Sequence, residues 1–99
     1  MNNPEQYIGR TYRENVGQNF VKFYKIRDYD RMDNRFNCEY ICITDVGEGN
    51  KRLDYSATYL IRDVTMDRLA QRGQEIDEVL FRAARNEIIQ LNDALKQLA

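Results

Sequence analysis

The chain has no histidine and no tryptophan, one proline, five glycines and two cysteines in its 99 residues. Without histidine there are no Ser-His or Cys-His nucleophile pairs, no imidazole acid–base chemistry near neutral pH, and few ways to build a zinc site. Cys38 and Cys42 lie four residues apart. On one strand they share a face at a separation of about 13 Å, given a rise of ~3.3 Å per residue. A disulfide tolerates about 7 Å between Cα atoms, so both thiols are expected to be reduced and part of a core. No apolar run approaches the ~20 residues of a membrane span, and the polar start MNNPEQ does not have the pattern of a signal peptide. The expectation is a cytoplasmic protein with no membrane partner.

Charge of one sign is also lacking. Fifteen basic and sixteen acidic residues leave a net charge of -1. A nucleic-acid-binding domain usually shows a basic excess, so the balance weighs against long-range attraction to phosphate while leaving room for a local patch. The hydrophobic fraction of 42% is too high for a disordered chain, and the length suits one domain with one core.

What is present is organised around the stretch from Asp77 to Leu98. Phe81, Ala84, Ile88, Leu91, Leu95 and Leu98 recur at steps of three and four. At 100° per residue they form one dry stripe of an amphipathic helix. Arg82, Glu87, Gln90, Asp93 and Gln97 fall on the other side. Asp77 has the chemistry of an N-cap, and Ile76 with Phe81 the spacing of a hydrophobic staple.

Upstream the pattern changes to short strands: Tyr7–Arg13 with a bend at Gly9, Phe20–Tyr29, Arg35–Thr44 and Tyr55–Arg62. Residues 1–6 have the composition of a loose arm. A turn is expected over Glu14–Asn19, an Asp/Asn-rich hairpin turn over Asp30–Asn34, and a long flexible loop over Asp45–Asp54. Along Arg35–Thr44, Phe36, Cys38, Tyr40 and Cys42 face one way, and Asn37, Glu39, Ile41 and Ile43 the other. Tyr55, Ala57, Tyr59 and Ile61 are expected to share a face. Asp63–Arg72 fits either a strand or a short helix, ended by Gly73. The sum is a single α+β domain: a β-rich part over residues 7–72 and a helix over 77–98. The β-rich part is expected to be a small antiparallel sheet or an SH3-like barrel of four to five strands, followed by one long C-terminal amphipathic helix.

The segments YIGRTYR, DRMDNRFNCEYICI, YSATYLI and GQEIDEVLFRAARNEI together resemble small uncharacterised accessory proteins of tailed bacteriophages and prophages. The resemblance covers most of the chain and implies an accessory, virion or anti-defence role. It carries no functional residue across.

Candidate chemistry is sparse. Asp28, Asp30, Asp33 and Glu39 suggest calcium, but counting from Asp28 the fifth position is Met32 and the sixth Asp33, which breaks the EF-hand pattern. The glycine loop at Asp45–Asn50 lacks the lysine of a phosphate-binding loop. No cofactor motif is present, and no carboxylate pair is nominated for catalysis. Lys22, Lys25, Arg27, Lys51, Arg52 and Arg62 interleave with tyrosines, a combination that stacks bases and holds phosphates on small barrels. Acids are interleaved as often, which favours a solvated charged surface. The helix is about 33 Å long against about 20 Å for a typical strand, so its stripe is expected to outrun a small sheet. Self-association through Ile88, Leu91, Leu95 and Leu98 follows, most simply as a two-fold dimer. The expected function is a non-catalytic interaction module that self-associates and binds a host protein. The alternative is a small-barrel nucleic-acid-binding protein.

Overall fold

A computed structural model describes residues 3–98, with side chains placed as far as Gln90. Five strands form one antiparallel sheet: β1 Thr11–Asn15, β2 Phe20–Asp30, β3 Arg35–Gly47, β4 Asn50–Arg62 and β5 Gln74–Ile76. Their spatial order is β4-β3-β2-β1-β5. The sheet is open, with β4 and β5 at its edges, so the sheet alternative describes it and the SH3-like barrel does not. Two helices complete the fold, α1 Asp63–Arg72 and α2 Glu78–Leu98.

The hairpin turns follow local chemistry. Between β2 and β3 the Asp30 carboxylate accepts the amide of Met32 at 2.9 Å, and Asn34 closes the turn at φ 54°. The β3–β4 connection is tighter than the sequence suggested. Gly47 pairs with Asn50, leaving a two-residue turn in which Glu48 and Gly49 both have positive φ, as a type I′ hairpin requires. The segment expected as a long loop is therefore the tip of the longest hairpin. Pro4–Tyr7, expected as the end of a loose arm and the start of a strand, forms a 3-10 turn that buries Pro4 and Tyr7.

Alternation along β3 divides the core in two. Phe36 and Cys38 join Tyr7, Tyr12, Tyr24, Ile26, Ile61, Met66 and Leu69 on one face. Ile41 joins Phe81 and Ile88 on the other, with Phe23, Ile43, Leu53, Tyr55, Ile76 and Ala84 packed around them. The first face is covered by α1 and the N-terminal turn, the second by α2, giving helix–sheet–helix layers. Both cysteines are free and buried, and burial pushes the Cys38 thiol up to about 12.

Three register shifts interrupt the ladders, one of them between Asp45 and Gly47 beside the β3–β4 turn, and the shift at Tyr40 corrects the face expected along Tyr55–Arg62. The β2–β3 register shifts between Ile26 and Asp28. The β3–β4 register shifts so that Tyr40 meets Ser56 while Cys38 meets Tyr59. Ala57 and Thr58 therefore oppose Glu39 alone, and Tyr55 lies on the α2 face while Tyr59 and Ile61 lie on the α1 face. The ambiguous segment is α1. Its Met66, Leu69 and Ala70 recur at helical spacing and dock on the tyrosine-rich face. Gly73 is needed where α1 stops: a Cβ there would sit 2.6 Å from the Leu69 carbonyl oxygen and 2.8 Å from Leu69 Cδ1. The chain then adds β5 beside β1, where Thr11 Oγ1 donates to the Ile76 carbonyl at 2.5 Å.

Asp77 caps α2 as expected, its carboxylate accepting the Val79 amide at 3.0 Å. Three contacts then trace the helix across the sheet. Glu78 meets Lys25 of β2 at 2.7 Å, Arg85 meets Glu39 of β3 at 3.2 Å, and Ile88 packs with Ile43 and Leu53, the latter on edge strand β4. Ile89–Leu98 is a further ten residues of helix, about 15 Å at 1.5 Å per residue.

Candidate functional site

Three places on the fold bring polar or apolar groups together in a way that single elements do not. The first is the α2–sheet contact. Glu39 is 4% exposed, and its carboxylate accepts from Tyr55 Oη at 2.8 Å and Arg85 Nη1 at 3.2 Å, with Arg27 at 4.0 Å. Burial alone would push this carboxyl up. The hydrogen bonds from Tyr55 and Arg85 and the charges of Arg85 and Arg27 outweigh it and hold the group below the usual carboxylate range. From the sequence, Glu39 was a calcium candidate. In the fold it anchors a helix, and among the described residues no group of three His, Cys, Asp or Glu side chains is placed to hold a metal ion.

The second place is a cleft of about 410 Å³ between α1 and the sheet, with Glu14, Tyr24, Tyr59, Arg62, Arg68 and Arg72 in its wall. Tyr59 stacks on Tyr40 with ring centres 4.4 Å apart and planes 14° apart, and Tyr24 lies 5.5 Å from Tyr40. Burial raises the pKa of Tyr24, and the nearby Glu14 carboxylate adds to the shift. Arg62, Arg68 and Arg72 against Glu14 give the lining more basic than acidic residues, beside the stacked tyrosines. Arg68 and Arg72 were not singled out from the sequence. Their spacing of four places them on one side of a helix, a signal that exists only once Asp63–Arg72 is known to be helical.

The six strand cations do not gather there. By register, Lys22 and Arg52 lie on the α1 face, whereas Lys25 and Lys51 lie on the α2 face, where the bulged Arg27 meets Glu39. Arg62 alone reaches the cleft. Lys25 pairs with Glu78 at 2.7 Å, Arg27 with Glu39, and Arg52 with Asp54 at 3.0 Å. Comparison with known protein families, curated proteins and solved structures gives no match. Function is therefore read from the geometry of this chain.

The third place is where α2 reaches the sheet edge. Ile43, Leu53, Ala84 and Ile88 form the apolar floor and wall of a groove of about 410 Å³, with Glu87 and Gln90 at its rim. Ile88, a self-association candidate, is 2% exposed and belongs to the core of its own chain. Leu91, Leu95 and Leu98 belong to α2, but their side chains lie outside the described residues. Beside this groove the outer edge of β4 has no partner strand among the described residues. No helix of the described residues is long and apolar enough to cross a membrane.

Proposed function

We propose that the protein is a non-catalytic interaction module that self-associates through the region where α2 leaves the sheet, and that it binds a host protein as a phage-type accessory or anti-defence factor. The observation that carries self-association is the position of Ile88 over edge strand β4 with ten residues of α2 still to come. From Lys25 on β2 to the edge strand β4 is two strand-to-strand steps of ~4.8 Å, about 10 Å. The helix has reached that edge by Ile88, while the sequence continues its apolar stripe through Leu91, Leu95 and Leu98. Each leucine removed from water is worth about 1.5–3 kcal/mol. A non-catalytic role is supported by Glu39, the one buried carboxylate among the described residues, being committed to Tyr55 and Arg85. A protein partner is supported by the balanced charge and by the acid partners of Lys25, Arg27 and Arg52. The phage-type role rests on the sequence resemblance, and a cytoplasmic location on the free, buried thiols.

Light scattering tests the self-association. The wild type is expected at twice the chain mass at micromolar concentration, and Leu91→Asp with Leu95→Asp at the single-chain mass with its circular dichroism unchanged. A monomeric wild type would reject the reading.

The cleft lined by arginines and tyrosines favours a second reading, binding of single-stranded nucleic acid, in which Tyr59 offers a stacking face and Arg62, Arg68 and Arg72 meet phosphate. The expected result is retention of a single-stranded oligonucleotide at low salt. Its log affinity should fall by about 0.7 per phosphate contact for each tenfold rise in salt. Arg68→Glu with Arg72→Glu should abolish it. No retention by the wild type in a low-salt mobility-shift assay removes this reading.

A further inference from the structure

We propose that β4 pairs with β4 of a second copy, antiparallel about a two-fold axis through Leu53, so that two sheets join into one. This rests on the self-associating reading above and names its geometry.

The two edges of the sheet differ. β5 is three residues long, whereas β4 runs for thirteen. Long edges recruit other strands, and proteins usually blunt them with proline, charged side chains, bulges or brevity. β4 has no proline. It carries Lys51, Arg52 and Asp54 and the bulge at Ala57 and Thr58. Between the two β3–β4 register shifts, Lys51–Ser56 is a regular run whose outer edge has no partner strand among the described residues. Leu53 lies in the middle of that run.

Charge agrees with the same centre. In an antiparallel pair about Leu53, Arg52 of one chain stands opposite Asp54 of the other, and the axis repeats the contact. Both residues lie on the α1 face, where they now bridge within the chain at 3.0 Å while 70% and 47% exposed. Lys51 stands opposite Tyr55 on the α2 face, and Leu53 opposite itself. A one-residue shift of the axis, to Arg52 or to Asp54, sets like charges against each other, which disfavours the slip. Leu53 and Tyr55 are the β4 residues packed on the cluster of Ile41, Phe81 and Ile88, and Leu53 lines the groove together with Ile88. The axis therefore brings the two grooves, and the two points where α2 leaves its own sheet, to the same place on one face. Strand pairing and the helix overhang then serve one interface, and the second copy closes the groove.

Charge reversal tests this without disturbing the core. Arg52→Asp sets a new carboxylate against the other chain's Asp54, and Asp54→Arg sets a new guanidinium against the other chain's Arg52. Each variant alone is expected to dimerise roughly tenfold more weakly, since the axis doubles each repulsion. An equimolar mixture of the two is expected to recover wild-type association as a heterodimer, because every cross-strand pair is then opposite in sign. The lost bridge within each chain is not restored by mixing, so recovery reports the interface alone. As a second measurement, Leu53→Cys is expected to cross-link under mild oxidation and Asn50→Cys is not, since only position 53 faces its own copy. A wild-type dimer indifferent to both reversals, or a mixture that stays weak, overturns strand pairing while leaving helix-driven association intact. A monomeric wild type overturns both.

Discussion

Phe81→Ala is expected to destabilise the protein by about 3–5 kcal/mol, the usual cost of truncating a buried phenylalanine. A domain of this size has roughly 5–15 kcal/mol in total. Phe81 is fully buried and is the largest side chain that α2 sends into the sheet. It shares its cluster with Ile41 and Ile88, and Phe23, Tyr55 and Ile76 pack around them. Among the described residues no other helix covers the α2 face, so the hole cannot be refilled from a neighbouring layer. The loss should also be local at first. Hydrogen exchange is expected to speed up along α2 and β5 at denaturant concentrations where β2 and β3 remain protected, because the α1 face has its own cluster around Phe36. Chemical denaturation gives the first number and exchange mass spectrometry the second. A loss below about 1 kcal/mol, well under the usual range, would mean that α2 is not fixed to the sheet through this side chain.

The α2 stripe was legible because helix period and burial coincide. Phe81, Ala84 and Ile88 meet the sheet as their spacing demands, and Asp77 caps the helix as its position suggested. The division of β3 into two faces was legible for the same reason, since both faces are covered and a regular strand alternates. The faces of β4 were not. One bulge at Ala57 and Thr58 moves Tyr55 away from Tyr59, and a bulge depends on pairing with β3 that no local pattern encodes. Asp45–Asp54 was misread because its two glycines suggest flexibility. The fold uses Gly49 and Glu48 at positive φ to close a two-residue turn. β5 is three residues long and sits beside β1, far earlier in the chain, and local composition cannot reveal such a pairing. The same non-locality hid the cleft and the Glu39 contact. Arg85 and Glu39 are 46 residues apart, and Arg68 and Arg72 meet Tyr24 and Tyr59 only because α1 folds back over the sheet.

Glu39→Gln is expected to cost roughly 1.5–3 kcal/mol at neutral pH, the range for a hydrogen bond to a charged group, and to flatten the acid limb of the stability profile. Glu39 is held below the usual carboxylate range in the folded chain. Its contribution is therefore fully present above its unfolded pKa of about 4.3 and is lost as pH falls through the folded value. Arg27, Arg85 and Tyr55 are the charged and titratable groups that face it. Protonation leaves a neutral carboxyl beside Arg85, much as glutamine does. Wild type and variant should thus differ at neutral pH and converge in acid, below the unfolded carboxylate value. Glu78, held below its ordinary range first by the hydrogen bond from Lys25 and then by that from Arg82, titrates in the same region. It is common to both proteins, so the difference between their profiles isolates Glu39. Urea midpoints measured at closely spaced pH values from acid to neutral give both curves. Parallel curves would show that the carboxylate under α2 does not stabilise the fold through its charge.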